Sequence, residues 1–127
     1  MLRLSGVVTV IFSLMSLFST ASHARSYEGY YLKASFYSSG RLTASGERFN
    51  QHGFTAASRT LPFGTLLHVT NPTTGQSVIV RINDRGPFIR GRDLDLARGA
   101  AAAIGMIERG TATLKIVRLN RASSINL

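Results

Sequence analysis

Residues 65–70 (TLLHVT) and 77–82 (SVIVRI) are short apolar runs joined by Asn71-Pro72-Thr73-Thr74-Gly75, an arrangement that narrows what the chain can become. Turn formers between runs rich in Val, Ile and Leu make a β-hairpin. A hairpin leaves two unpaired edges, so further strands are needed to cover them. Two other stretches have the period of a half-buried strand, YLKASFYS at 31–38 and TATLKIVRLN at 111–120. The Ala-rich segment ARGAAAAIGM is read as one small helix ending near Gly105. With no alternation of strands and helices, the expectation is an all-β, barrel-like domain. Residues 38–53 (SSGRLTASGERFNQHG) have little apolar period and are read as a long ordered loop, a feature usually tied to function.

The first 24 residues are set apart from this domain. Arg3 precedes an apolar stretch at 7–18, and small residues at Ser22 and Ala24 follow it. This is the pattern of a secretory signal cleaved after Ala24, leaving residues 25–127 as one domain. The apolar stretch is too short for a comfortable membrane span, so no stable membrane anchor is expected after cleavage. The 127 residues contain no cysteine, which excludes disulfides, thiolate chemistry and an acyl anchor on a cysteine. The expected location is periplasmic or secreted, and the expected state is a monomer. Fifteen Lys and Arg against six Asp and Glu give a net charge of +9, so polyanions are natural partners. Export argues against nucleic acid and leaves anionic lipid or an anionic cell wall. No amphipathic basic helix points to a membrane-active peptide.

The chemistry available is limited. Only His52 and His68 remain beyond the signal, too few for a zinc site of ordinary composition, and no metal or other cofactor is expected. There is no G-x-S-x-G nucleophile elbow, no G-x-G-x-x-G and no P-loop. Carboxylates are therefore the proton-transfer groups at hand. Three of the six lie in RINDRGPFIRGRDLDLAR at 81–98. Asp84 follows a strand and precedes Gly86-Pro87, which puts it where the backbone turns sharply. Such a carboxylate suits a general acid at a barrel rim near the loop that carries Glu47. It equally suits an Asx turn paired with Arg85. Asp93 and Asp95 are assigned to structure, with Asp95 expected to cap the turn that leads into the helix.

The ordered series ASFY, TASGERF, TAASRTLPFGT, VTN, VRINDRGPF and DLARGAA, spread over about 33–118, resembles the rare lipoprotein A family. The resemblance implies a six-stranded double-psi β-barrel with one or two short helices, a fold shared with expansins. It also implies peptidoglycan glycan strands, probably poor in peptide, as substrate, and endolytic cleavage between N-acetylmuramic acid and N-acetylglucosamine to give 1,6-anhydro ends. The alternative it leaves open is an expansin-like module that binds and loosens the wall without cutting it. By the family's pattern Asp84 is the catalytic acid and Glu47 assists it. Asn50 stands where the family commonly has aspartate, and Ser58 where it commonly has histidine. His52, two residues beyond Asn50, is expected to substitute in part for the missing imidazole. Thr43, Asn50 and Ser58 are expected to hydrogen-bond the sugar, and Tyr37, Phe49 and Phe88 to present ring faces to it. Arg85, Arg90 and Arg92 are expected to meet its carboxylates. The chain lacks the lipidation cysteine of the founding members and a C-terminal glycan-binding domain, and is thus expected to be a minimal, soluble form.

Overall fold

The computed structural model describes residues 28–119. The signal reading at 1–24 lies outside them. Six strands run in the order β1 (Tyr30–Tyr37), β2 (Thr55–Ala57), β3 (Leu66–Thr70), β4 (Ser77–Asp84), β5 (Leu94–Ala97) and β6 (Ala112–Leu119), with one helix, α1 (Arg98–Ala103), between β5 and β6. They close into a barrel in the spatial order β1-β5-β2-β4-β3-β6. Closure removes the edges that the hairpin would otherwise expose. β1 with β5 and β2 with β4 are parallel pairs, and the other neighbours are antiparallel.

The hairpin at 65–82 is present as β3 and β4, with Leu67 opposite Val80 and Val69 opposite Val78. Their period of two sends Leu67, Val69, Val78, Val80 and Ile82 inward. Leu114 and Ile116 of β6 and Leu94 and Leu96 of β5 meet them in the core. α1 covers one end of the barrel through Ala100 and Ala101, and Ile104 and Met106 fill the space beyond it. Small side chains let this helix lie close to the strands, and Asn71 Nδ2 donates to the Ile104 carbonyl at 2.8 Å to tie its end to the hairpin turn.

Two strands escape the period of the sequence. β2 has three residues and β5 has four, too few for an alternation to be visible. β5 occupies the position expected to cap the helix. Asp95 lies within the strand and accepts a hydrogen bond from Ser35 Oγ at 3.0 Å, and the helix begins after Ala97 without a side-chain cap. Asp95 is therefore a cross-strand partner of β1 and not a turn cap. Its half-buried position pushes its carboxyl above the usual range, chiefly through desolvation.

One irregularity positions the rim. β2 pairs with β4 through Ala56 opposite Ile82 and then Ala57 opposite Asp84, so Asn83 is an extra residue on β4. A bulge of this kind bends the strand and re-aims the side chain beyond it. Here Ile82 and Asn83 are both buried in succession, and Asp84 emerges at the barrel end.

Candidate active site

Asp84 terminates β4, and the loop at 38–53 folds over it. That loop is a small hairpin: Thr43 N–H donates to the Glu47 carbonyl at 2.8 Å and Phe49 N–H to the Arg41 carbonyl at 3.1 Å, with Leu42 bridged to Arg48. Gly46, at φ +85°, allows the tight reversal at its tip. Ser45 N–H reaches the Asn83 carbonyl at 3.3 Å, fastening the tip to the bulge.

Three donors meet the Asp84 carboxylate. Oδ1 accepts from Ala44 N–H at 2.9 Å and from Arg85 N–H at 2.9 Å, and Oδ2 accepts from the Tyr37 hydroxyl at 3.0 Å. Tyr37 closes β1, and its ring stacks on Phe49 of the hairpin with centroids 4.5 Å apart and planes 16° from parallel. Burial, then the hydrogen bond and negative charge of Asp84, push the Tyr37 hydroxyl well above the usual phenol range. It therefore stays a hydrogen-bond donor throughout the physiological range.

Glu47 lies on the same hairpin, but its carboxylate is directed to Arg81 of β4. The guanidinium holds both oxygens, Nη1 to Oε2 at 2.9 Å and Nη2 to Oε1 at 2.6 Å. This fork keeps the Glu47 carboxyl below its usual range. The expected partnership of the two acids is thus indirect: the hairpin and β4 carry both, with no hydrogen bond between their carboxylates.

The other expected residues divide into rim supports and surface groups. Thr43 is buried, its hydroxyl facing Ser45 Oγ at 2.9 Å and the Glu47 carbonyl at 3.1 Å. Ser58 is also buried, and its Oγ accepts from Thr60 N–H at 3.3 Å and Leu61 N–H at 3.1 Å. Both hydroxyls are engaged with the rim itself, where the sequence reading expected them to meet a sugar. Arg85 is likewise engaged by the main chain of the rim. Its Nη1 donates to the carbonyls of Ser58 at 3.0 Å and Leu61 at 2.9 Å, and its guanidinium carbon sits 4.0 Å from the centre of the Phe63 ring. Those contacts bind the loop after β2 to β4, and Arg85 meets the Asp84 carboxylate through its backbone N–H alone.

Asn50 and His52 are exposed and form an Asx turn, with Asn50 Oδ1 accepting from His52 N–H at 3.0 Å. This turn rests on the start of α1. Gly99 N–H donates to the Gln51 carbonyl at 2.6 Å, and a Cβ at Gly99 would stand 2.5 Å from the His52 carbonyl oxygen. His52 thus packs against the helix through its backbone and makes no hydrogen bond to Asp84. Phe88 is 81% exposed on the loop after β4. That loop is held by Arg59, which donates to the carbonyls of Pro87 at 2.8 Å and Arg92 at 2.6 Å and pairs with Asp93 at 2.9 Å. Asp93 is structural, as expected.

Sequence reasoning missed the polar role of Tyr37, because its partner Asp84 lies 47 positions away and no local pattern links them. It also missed Ala44, which contributes only its backbone N–H, and Asn83, whose buried Oδ1 has no protein partner. Among the described residues no group of three His, Asp or Glu side chains is disposed to hold a metal ion.

A strand-terminal carboxylate on a six-stranded barrel with two parallel pairs can be compared with known proteins. A family model described as Lytic transglycolase matches residues 30–116. The chain belongs to the rare lipoprotein A family of double-psi β-barrels. It is 57% identical over 93 residues to the probable endolytic peptidoglycan transglycosylase RlpA of Nostoc, covering 69% of this chain and 25% of that protein. It is 44% identical over 117 residues to the protein of that name from Treponema pallidum, covering 90% of this chain and 36% of the relative. The chain thus spans about a quarter to a third of the length of these curated relatives. Among solved structures, the apo expansin of Clavibacter michiganensis superposes with a TM-score of 0.61 at 21% identity, covering 74% of this chain and 52% of that one. The Streptomyces papain inhibitor gives a TM-score of 0.60 at 18% identity, covering 73% and 96%. At these identities the likeness is one of fold alone, and the rare lipoprotein A barrel hosts chemistry that must be argued from its own rim.

Proposed function

We propose that this chain is an exported lytic transglycosylase that cuts peptidoglycan glycan strands endolytically, with Asp84 as its catalytic acid and base. The observation that carries the reading is the set of three donors around Asp84 at the open end of the barrel, beside the hairpin of residues 41–49. The relatives named as endolytic peptidoglycan transglycosylases support the same choice of substrate.

A carboxyl oxygen has two lone-pair directions. Those of Oδ1 are met by Ala44 N–H and Arg85 N–H, whereas Oδ2 has one partner, the Tyr37 hydroxyl. The proton that Asp84 transfers is therefore carried on the free side of Oδ2. In the first step this proton passes to the oxygen joining C1 of N-acetylmuramic acid to C4 of N-acetylglucosamine. The C1–O bond breaks, and the departing sugar leaves with its 4-hydroxyl. Asp84 is then a carboxylate beside an oxocarbenium-like C1. It takes the proton of the muramic 6-hydroxyl while O6 bonds to C1, giving the 1,6-anhydro ring and restoring the acid. No water is consumed, and one carboxyl group serves both steps, unlike the pair needed for hydrolysis. Glu47 contributes through Arg81 by holding the hairpin that supplies Ala44. Phe88 and Asn50 are exposed and remain the proposed surface contacts to the strand.

The test is to incubate the protein with peptidoglycan and with peptide-stripped strands and to look for anhydro-muramic products by mass spectrometry. Asp84→Asn should lower their release by about 10²–10⁴-fold, the usual effect of removing a general acid. Strand binding with no anhydro product from the unaltered chain would replace this reading with a module that holds glycan without cleaving it. Ser58, which stands where the resemblance implies an imidazole and whose hydroxyl is turned into the rim, favours that second reading.

A further inference from the structure

Resting on the assignment of a glycan strand as substrate, we propose that Arg41 and Arg48 form a carboxylate-binding subsite on the hairpin that supplies Ala44 N–H to Asp84. The groove they line with Leu42 and Phe49 has a volume of about 580 Å³. Four further grooves, of about 220 to 430 Å³, lie at the turn of Thr73 and Arg109, at the Phe88 loop and against Arg59. The Arg41–Arg48 groove is built on the hairpin that braces the acid. Its Phe49 stacks on Tyr37, which holds Oδ2 of Asp84, and its hairpin supplies the Ala44 N–H that holds Oδ1.

The charge of this groove is uncompensated. Several of the arginines near the barrel end have structural partners: Arg59 is bound to Asp93, Arg81 to Glu47 and Arg85 to main-chain carbonyls. Arg41 and Arg48 are exposed and have neither an ion pair nor a side-chain hydrogen bond among the described residues. The one acid on their hairpin, Glu47, has both oxygens occupied by Arg81. Two free guanidinium forks thus flank an apolar floor of Leu42, 68% exposed, and Phe49. A sugar ring suits the floor through its C–H face, and a carboxylate carried on that ring suits the forks, which grip its two oxygens in one plane. The hairpin is fastened to the barrel at Ala44, Ser45, Glu47 and Phe49, so the forks approach from a fixed base. This reassigns the recognition of acidic sugar from Arg85, whose guanidinium is engaged elsewhere, to a groove on the hairpin that braces the Asp84 carboxylate.

On a peptidoglycan strand the carboxylate comes from one of two sources, the lactyl ether of muramic acid after its peptide is removed, or the stem peptide itself. The experiment compares binding of the full chain to three probes: peptide-stripped strands, the same strands with the lactyl carboxylates methyl-esterified, and strands bearing peptides. At low salt the unaltered chain should hold stripped strands about tenfold more tightly than esterified ones, a ratio of the size expected for a charge-assisted fork. A further preference for peptide-bearing strands would assign the carboxylate to the peptide. Arg41→Gln with Arg48→Gln should abolish the ratio while leaving the affinity for esterified strands and the thermal midpoint unchanged. The Lys pair should keep part of it, since charge is retained and the fork is lost. An undiminished ratio in the Gln pair, or equal binding of all three probes by the unaltered chain, would overturn the subsite. Loss of anhydro products from the unaltered chain, with the ratio intact, would instead overturn the transglycosylase reading and leave the subsite standing.

Discussion

Asp84 and Tyr37 lie 47 positions apart and act as one unit. The hydroxyl gives Oδ2 a single partner and orients its free side, while the ring of Tyr37 is stacked against Phe49. Tyr37→Phe separates these contributions. The stack is retained, so the protein should remain folded and bind strands with an unchanged KM. Removing a hydrogen bond to a charged group is worth about 1.5–3 kcal/mol, and we expect kcat for anhydro-product release to fall by roughly tenfold or more. An unchanged kcat would show that Tyr37 is only a packing residue. At this scale the arginines are equally unlike one another. Arg81 and Arg85 are structural ties, and Arg41 and Arg48 have no side-chain partner among the described residues, a distinction made by partners and not by residue type.

At the scale of elements, the bulge in β4 and the short strand β5 decide the layout of the rim. The bulge buries Asn83 and turns Asp84 outward, and β5 places Asp95 opposite Ser35 in the middle of a parallel pair. Desolvation is the main reason the Asp95 carboxyl lies above its usual range, and the negative charge of Asp84 adds to it. A carboxyl raised on folding stabilises the native state fully below its unfolded pKa, and the contribution disappears as pH rises through the folded value. Asp95→Asn retains an acceptor for Ser35 and removes the buried charge. It should therefore raise the thermal midpoint at pH 7 relative to the parent, with the gain shrinking as the pH is lowered into the carboxylate range. Midpoints measured for both proteins across that range check the sign; a gain that grows on acidification would refute it.

Over the whole molecule, stability and function are coupled by closure of the barrel. Every strand has two neighbours, and the side chains of β3, β4, β5 and β6 share one core around Leu67, Ile82, Leu96 and Leu114. A cavity made anywhere in that core is felt by the rim, because the strand ends that carry Tyr37 and Asp84 are the ends of core strands. Leu96→Ala, at a fully buried position, should destabilise by about 2–5 kcal/mol. Denaturant unfolding followed by tyrosine fluorescence and by circular dichroism should show one shared transition, as expected for a single small domain; separate transitions would mean that the rim unfolds apart from the core.

The hairpin of β3 and β4, the strands β1 and β6 and the small helix are legible from residue order alone, because period-two apolar runs and turn formers act locally and each segment is long enough to show them. The sequence also singled out Asp84, through its strand-end position and the ordered motif series, and limited the available chemistry to carboxylates. Only the tertiary structure decided that β2 and β5 are strands, since three or four residues carry no period and gain their backbone partners from segments far away. The same holds for the partners of each charged side chain. Glu47 is claimed by Arg81, Ser58 by the backbone of Thr60 and Leu61, and Asp84 by Tyr37 and Ala44. Composition states which charges exist, but which are neutralised depends on distances of about 3 Å across the closed barrel, where hydrogen bonds form, and those distances exist only once the chain has folded.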